Sequence, residues 1–202
     1  MQHDAPRIAL VTGATQGLGL GLVRGLSTRL GPEDLVLLTS RDPQRVAAAV
    51  AAGSPGPARV EGRTLDVTDP DAVSRMADDI EREHGGVDIV LSNATARLVP
   101  GVAAADQIDL QVATSNLATS HVLRAWLPIL RPGGSLLVVA SSLGRLGHLA
   151  PDVRARVEQA TTLDDVDRVV EAWRQEVRAG VAVERGWPGW INIPSKVAQV
   201  AA

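Results

Sequence analysis

The sequence predicts an α/β fold: a doubly wound parallel sheet with helices on both faces, in a single domain spanning residues 1–202. Three observations predict it. Short apolar runs alternate with longer helical patterns, as repeated βα units require. Several runs are nearly continuous in apolar residues, which suits strands covered on both faces. A glycine-rich turn joins the first run to the first helical segment.

The expected strands are "RIALVTG" (7–13), "DLVLLTS" (34–40), "ARVEGRTLDV" (58–67), "VDIVLSN" (87–93) and "GSLLVVASS" (134–142). Helices are expected over 17–30, 43–52, 70–84 and 106–129. Asp69-Pro70 supplies an N-cap followed by proline in the first turn. Gly31, Gly53 and Gly85-Gly86 stand where helices should stop. After Ser142 the rhythm changes. A helical insertion at about 145–186 holds two polar-faced helices within 151–180, with "TLDD" (162–165) as a capping signal. No sixth strand pattern follows.

Composition bounds the function. A net charge of −3 argues against a broad nucleic-acid or anionic-membrane surface. No apolar run approaches the roughly 18–20 residues of a membrane span, and "MQHDAPRIALVTG" lacks the pattern of a signal peptide. A cytoplasmic protein is expected. There is no cysteine, and His3, His84, His121 and His148 have no metal-ligand spacing, so no metal site is expected. With no Phe, no Tyr and four Trp, the core must be built mainly from Val, Leu, Ile and Ala.

The strongest local signal is "TGATQGLG", Thr12 to Gly19. Gly13, Gly17 and Gly19 permit a tight turn, close backbone approach to a diphosphate, and close helix–strand packing. The free N–H groups and dipole of the following helix favour an anion. Strand, turn and helix together make this a Rossmann-like dinucleotide signature. Arg41, just past the second strand, suits a 2′-phosphate and so favours NADP(H) over NAD(H). A solvated surface arginine is the competing reading.

On these residues the sequence resembles the short-chain dehydrogenase/reductase family, whose TGxxxGxG signature is met in full. "SRD" (40–42), "LDVTD" (65–69), "SNAT" (92–95), Asn116 and "SS" (141–142) follow in the family's order. "GWP…SK" after an insertion of about forty residues looks like the carbonyl reductase branch. The resemblance implies cofactor contacts from Gly13, Thr15, Gln16, Gly17, Leu18, Gly19, Ser40, Arg41, Asp66, Val67, Asn93 and Lys196. It implies that Ser142 orients a substrate carbonyl, with Ser141 as the nearest alternative. Asn116 would support a water linked to the catalytic lysine, and Lys196, the only lysine, would lower the pKa of a tyrosine one turn away.

That tyrosine should stand at position 192. The chain has Asn192 there, and no tyrosine anywhere. An amide can hydrogen-bond a carbonyl but does not usefully donate a proton at neutral pH, so ordinary carbonyl reduction should be crippled. Pro194 suggests a helix starting at about Ile193, with Asn192 as N-cap. Only "VAQVAA" follows Lys196, where the family continues with further strands. A truncated product, or lost cofactor and substrate walls, is therefore expected, with an exposed C-terminal edge.

The leading expectation is an NADP(H)-dependent oxidoreductase with impaired or altered chemistry, acting on a small molecule such as a carbonyl compound. Asn116, Ser142, Asn192 and Lys196 would form its catalytic set. The alternatives are a non-redox enzyme (isomerase, dehydratase or cyclase) on the same scaffold, and a nucleotide-binding pseudoenzyme. Resemblance to the carbonyl reductase branch leans towards a monomer.

Overall fold

The computed structural model describes residues 5–202, so the expectation for His3 lies outside the described residues. The chain divides into two compact units. One comprises residues up to Ala94 with His121–Val139, the other Thr95–Ser120 with Ala140–Ala202.

The first unit is built on five parallel strands, β1 (Ile8–Val11), β2 (Leu35–Ser40), β3 (Arg59–Thr64), β4 (Val87–Ser92) and β5 (Leu130–Val138), in the order β3-β2-β1-β4-β5. Helices α1 (Gly17–Arg29), α2 (Pro43–Ala51) and α3 (Pro70–His84) link the first four. The strand order reverses at β1 and β4, the switch point at which loops diverge and leave a crevice for ligands. Ala9, Val11, Val36 and Leu38 are buried among α1 Val23 and α2 Val46, and Ile8, Leu10, Leu35 and Leu37 on the opposite face are buried too, which accounts for the unbroken apolar runs.

Local signals set the helix ends. The Asp42 and Asp69 carboxylates each accept two backbone N–H bonds and each precedes a proline. Gly85 closes α3 in the left-handed region (φ 74°). Gly31 departs from expectation: α1 ends at Leu30 in an extended conformation, and Gly31 has no positive φ. Strand β5 also begins four residues early, at Leu130. Val87 pairs with Leu130 and Ile89 with Ser135, so "RPGG" between them bulges out of the ladder, with Gly133 in the left-handed region (φ +85°). A Cβ on Gly134 would lie 2.8 Å from the Asp88 carbonyl, so only glycine lets the strands approach there.

Two buried acids fix the start of β1. Asp88 accepts from Ile8 N at 2.7 Å and Arg131 Nη1 at 3.0 Å. Asp34 accepts from Arg7 N and Gly31 N, both at 2.8 Å, and from the Arg7 guanidinium. Burial pushes the Asp34 carboxyl upward, but these hydrogen bonds outweigh it and hold the group below the usual carboxylate range. Such an acid contributes stability that is present above its unfolded pKa and lost as pH falls through its folded one. Asp34→Asn is expected to cost about 1–3 kcal/mol at pH 7 and to flatten the acid side of the stability curve. Urea denaturation across pH measures both; an unchanged acid limb would remove Asp34 from the account.

The second unit contains α4 (Ala104–Gln111), a π-helical turn (Val112–Leu117), the start of α5 (Ala118–Trp126), α6 (Pro151–Glu158), α7 (Leu163–Arg178) and α8 (Asn192–Ala201). The insertion expected at 145–186 thus supplies α6 and α7. Thr162 and Asp165 form the capping box of α7. Ile108, Val112, Val153, Val170, Trp173 and Trp187 form its core. Trp173 and Trp187 meet with centroids 5.9 Å apart. The Arg156 guanidinium lies 5.2 Å from the Trp187 ring centre while pairing with Glu176.

Helix α8 corrects the sequence reading by one residue. It starts at Asn192, with Ile191 as N-cap, and the Asn192 side chain does not cap it. Pro194 still falls in the first turn. Trp190 lies outside the helix and its carbonyl accepts from Ile193 N (3.0 Å), while Ser195 N reaches Ile191 O (3.3 Å). The missing proline N–H is therefore one of the first-turn orphans. Among the described residues no helix is long and apolar enough to cross a membrane.

Candidate functional site

In the first unit the β1–α1 turn is shaped around its glycines. Gly13 and Gly17 have φ of +62° and +53°. A Cβ on Gly19 would lie 2.5 Å from the Gly13 carbonyl and 2.6 Å from Asn93 Nδ2, whereas one on Gly17 would meet nothing within 4 Å. The turn is thus packed tightly on one side and open on the other. Gln16 precedes α1 without a side-chain cap, leaving the helix N-terminal N–H groups without a side-chain acceptor there. Tight inner packing and an open, donor-rich outer face fit a diphosphate.

Asn93 secures this turn. Its amide donates to the Thr12 and Gly13 carbonyls at 2.9 and 3.2 Å. Thr12 Oγ1 in turn accepts from Asn93 N (2.9 Å) and Ala94 N (3.0 Å). The Asn93 amino group, on a residue expected to contact the cofactor, is therefore committed to holding the loop. Ser40 ends β2 half-buried and Arg41 follows it exposed. Asp66 Oδ1 accepts from Thr68 N (2.9 Å) and Thr68 Oγ1 (2.7 Å). Val67 is buried, and its carbonyl lies 3.2 Å from His121 Nδ1. Thr15 is half-buried, while Gln16 and Leu18 are exposed.

In the second unit Asn116 sits in the π-helical turn, where the hydrogen-bond ladder slips and an asparagine is accommodated inside a long helical stretch. It holds α8 at two points. Nδ2 donates to the Ser195 carbonyl (2.8 Å) and Oδ1 accepts from Ser195 Oγ (2.9 Å). Gln111 Nε2 donates to the same hydroxyl at 2.8 Å. Asn116 thus grips the residue before Lys196 rather than the lysine itself. Lys196 is buried and Nζ donates to Gln199 Oε1 at 2.6 Å. Burial pushes its amine below the usual lysine range.

Ser142 opens a short 3-10 turn (Ser142–Gly144) and is exposed; Ser141 Oγ caps that turn by accepting from Leu143 N. Gly144 packs on α8, where a Cβ would lie 2.7 Å from the Lys196 carbonyl. Asn192 is half-buried and, among the described residues, makes no hydrogen bond to Lys196. Sequence reasoning missed Gln111, Ser195 and Gln199. Gln199 carried a signal, being a lone amide among the small apolar residues of "VAQVAA". Among the described residues no cluster of three or more His, Asp or Glu is arranged to hold a metal ion.

A family profile described as short chain dehydrogenase matches residues 7–151. The chain belongs to that family. Within the short chain dehydrogenases it resembles the carbonyl reductases. It is 28% identical over 193 residues to rat carbonyl reductase [NADPH] 1, covering 93% of this chain and 69% of that protein. It is 29% identical over 188 residues to mouse carbonyl reductase [NADPH] 3, covering 90% and 67%. The chain spans 64–69% of the length of such curated relatives. Menthone neomenthol reductase from Mentha piperita shares the fold, with a TM-score of 0.80 at 22% identity over 97% of this chain and 83% of that one. A metagenomic short-chain oxidoreductase solved with NADP matches with a TM-score of 0.55 at 25% identity, over 70% and 65%.

Proposed function

We propose that this short chain dehydrogenase binds NADP(H) and is a carbonyl reductase-like oxidoreductase of small molecules whose proton transfer is altered. The observation that carries the reading is the β1–α1 turn, closed on its inner side by Gly19 and Asn93 and open on its outer side at Gly17. The names of the curated relatives, carbonyl reductase [NADPH], support the same cofactor. When bound, NADPH supplies a hydride to the substrate.

The chain's own residues do the rest. The turn and the N-terminus of α1 would hold the diphosphate, and Arg41 would pair with the 2′-phosphate. Ser142 offers a hydroxyl to the substrate oxygen. Lys196, in the second unit, would bear the proton, and Ser195 beside it is held by Asn116. The absence of tyrosine from the chain favours a second reading. In it, the same site performs an isomerisation, dehydration or cyclisation, or binds nucleotide without turnover.

Fluorescence titration with NADPH and NADH tests the first step. Arg41→Ala is expected to weaken NADPH by about ten-fold or more, as loss of a charge-assisted contact does, and to leave NADH almost unchanged. Equal weakening of both would refute the phosphate role. No saturable binding of either nucleotide would sink the reading as a whole.

A further inference from the structure

Lys196 is the only charged side chain on α8, and its partner is an amide. Lys196 Nζ donates to Gln199 Oε1 at 2.6 Å, Gln199 Nε2 donates to Thr119 Oγ1 at 3.3 Å, and Thr119 Oγ1 donates to the Ser115 carbonyl at 3.0 Å. The direction of this chain is set at its far end. The single Thr119 proton goes to Ser115, so its oxygen can only accept from Gln199. The amide must then turn its nitrogen towards Thr119 and its oxygen towards the amine. All four residues are buried, and a buried amide is costly unless both its ends are bonded.

Among the described residues no carboxylate pairs with Lys196. The π-helical turn and the 3-10 turn packed on α8 contain no titratable residue. Of the five acids of α7, Asp164 lies in its first turn, and the others are engaged elsewhere: Asp165 with Thr162 and Arg168, Asp167 with Ser120, Glu171 with Arg174, and Glu176 with Arg156. Helical side chains lean towards the N-terminus of their helix, which would take Lys196 over the turn that begins with Asn192. The amine is instead bonded to the residue one turn further on.

We propose that Gln199 is a positioning residue for Lys196, tethering its amine to the start of α5 rather than to residue 192. The assignment deepens the oxidoreductase reading and rests on it, because it fixes where the only lysine presents its protons. It also explains why an amide, which supplies an acceptor without a countercharge, occupies a buried position on this helix.

The single lysine makes the test direct. Heteronuclear NMR of the full chain carrying isotope-labelled lysine gives one side-chain amine signal, followed across pH without nucleotide. Gln199→Met keeps the length but removes the acceptor, and is expected to lower the Lys196 titration midpoint by about one pH unit. Gln199→Glu adds a countercharge and is expected to raise it by about as much. It retains an acceptor, so it serves even where the methionine variant fails to fold. A midpoint that moves in neither folded variant overturns the assignment. The readout needs no cofactor, so a responsive lysine in a protein that does not bind NADPH would sink the oxidoreductase reading and leave the tether standing.

Discussion

Asn192→Tyr is expected to raise NADPH-dependent reduction of a simple ketone or quinone by about 10²–10⁴-fold, the usual contribution of a positioned general acid. That range corresponds to roughly 3–5 kcal/mol of barrier. The geometry of α8 makes the test meaningful. Because the helix starts at Asn192, positions 192 and 196 are both helical and stand four residues apart on one face. A phenol there would lie near an amine that stabilises its phenolate. Pro194 does not break this relation, since the carbonyl its ring would meet belongs to Trp190, outside the helix. Gln199 competes for the same amine. The gain should therefore be larger when Asn192→Tyr is combined with Gln199→Met than the product of the two single effects, because residues sharing a partner are not additive. Steady-state rates for the two single variants and the double variant measure this. An unchanged rate in an Asn192→Tyr protein that still binds NADPH would show that position 192 is not where the acid is missing.

What the sequence made legible was whatever depends on neighbours in the chain. Apolar runs marked β1, β2 and β4 because their residues are buried on both faces of the sheet, whereas β5 is apolar yet has no buried residue. Asp-Pro pairs marked the starts of α2 and α3 because capping is a local hydrogen-bonding event. The first residues of β5 were not legible. Leu130 pairs with Val87, but Arg131-Pro132-Gly133-Gly134 after it has the composition of a turn and bulges out of the ladder, which hides the start of the strand. The π-helical turn around Asn116 was equally hidden, because a slipped ladder leaves no periodic mark. The candidate site divides in the same way. The glycine turn was read from its spacing, and Asn116, Ser142 and Lys196 were singled out through the family resemblance. The partners of Asn116 and Gln199, Ser195 and Thr119 respectively, are 79 and 80 positions away. No local pattern connects residues so far apart.

A large stability effect is expected at Gly19 in the β1–α1 turn, and helix propensity alone gives it the wrong sign. Gly19 lies inside α1, where alanine is favoured over glycine by about 1 kcal/mol. The same holds at Gly21, two residues on, where an added Cβ meets nothing within 4 Å. Gly21→Ala should therefore stabilise the protein by about 0.5–1 kcal/mol. At Gly19 the new methyl would lie 2.5 Å from the Gly13 carbonyl, 2.6 Å from Asn93 Nδ2 and 2.9 Å from Ala14 Cα. Two of these neighbours are backbone, and the third is fixed by its bonds to Thr12 and Gly13. None can move without opening the turn. Overpacking of this kind costs about 1–3 kcal/mol, which exceeds the propensity gain. Gly19→Ala is expected to lower the urea midpoint while Gly21→Ala raises it, and only Gly19→Ala should weaken NADPH binding. Equal midpoints for the two variants would mean that the turn yields to a methyl group. The inner packing would then no longer support a rigid diphosphate cradle.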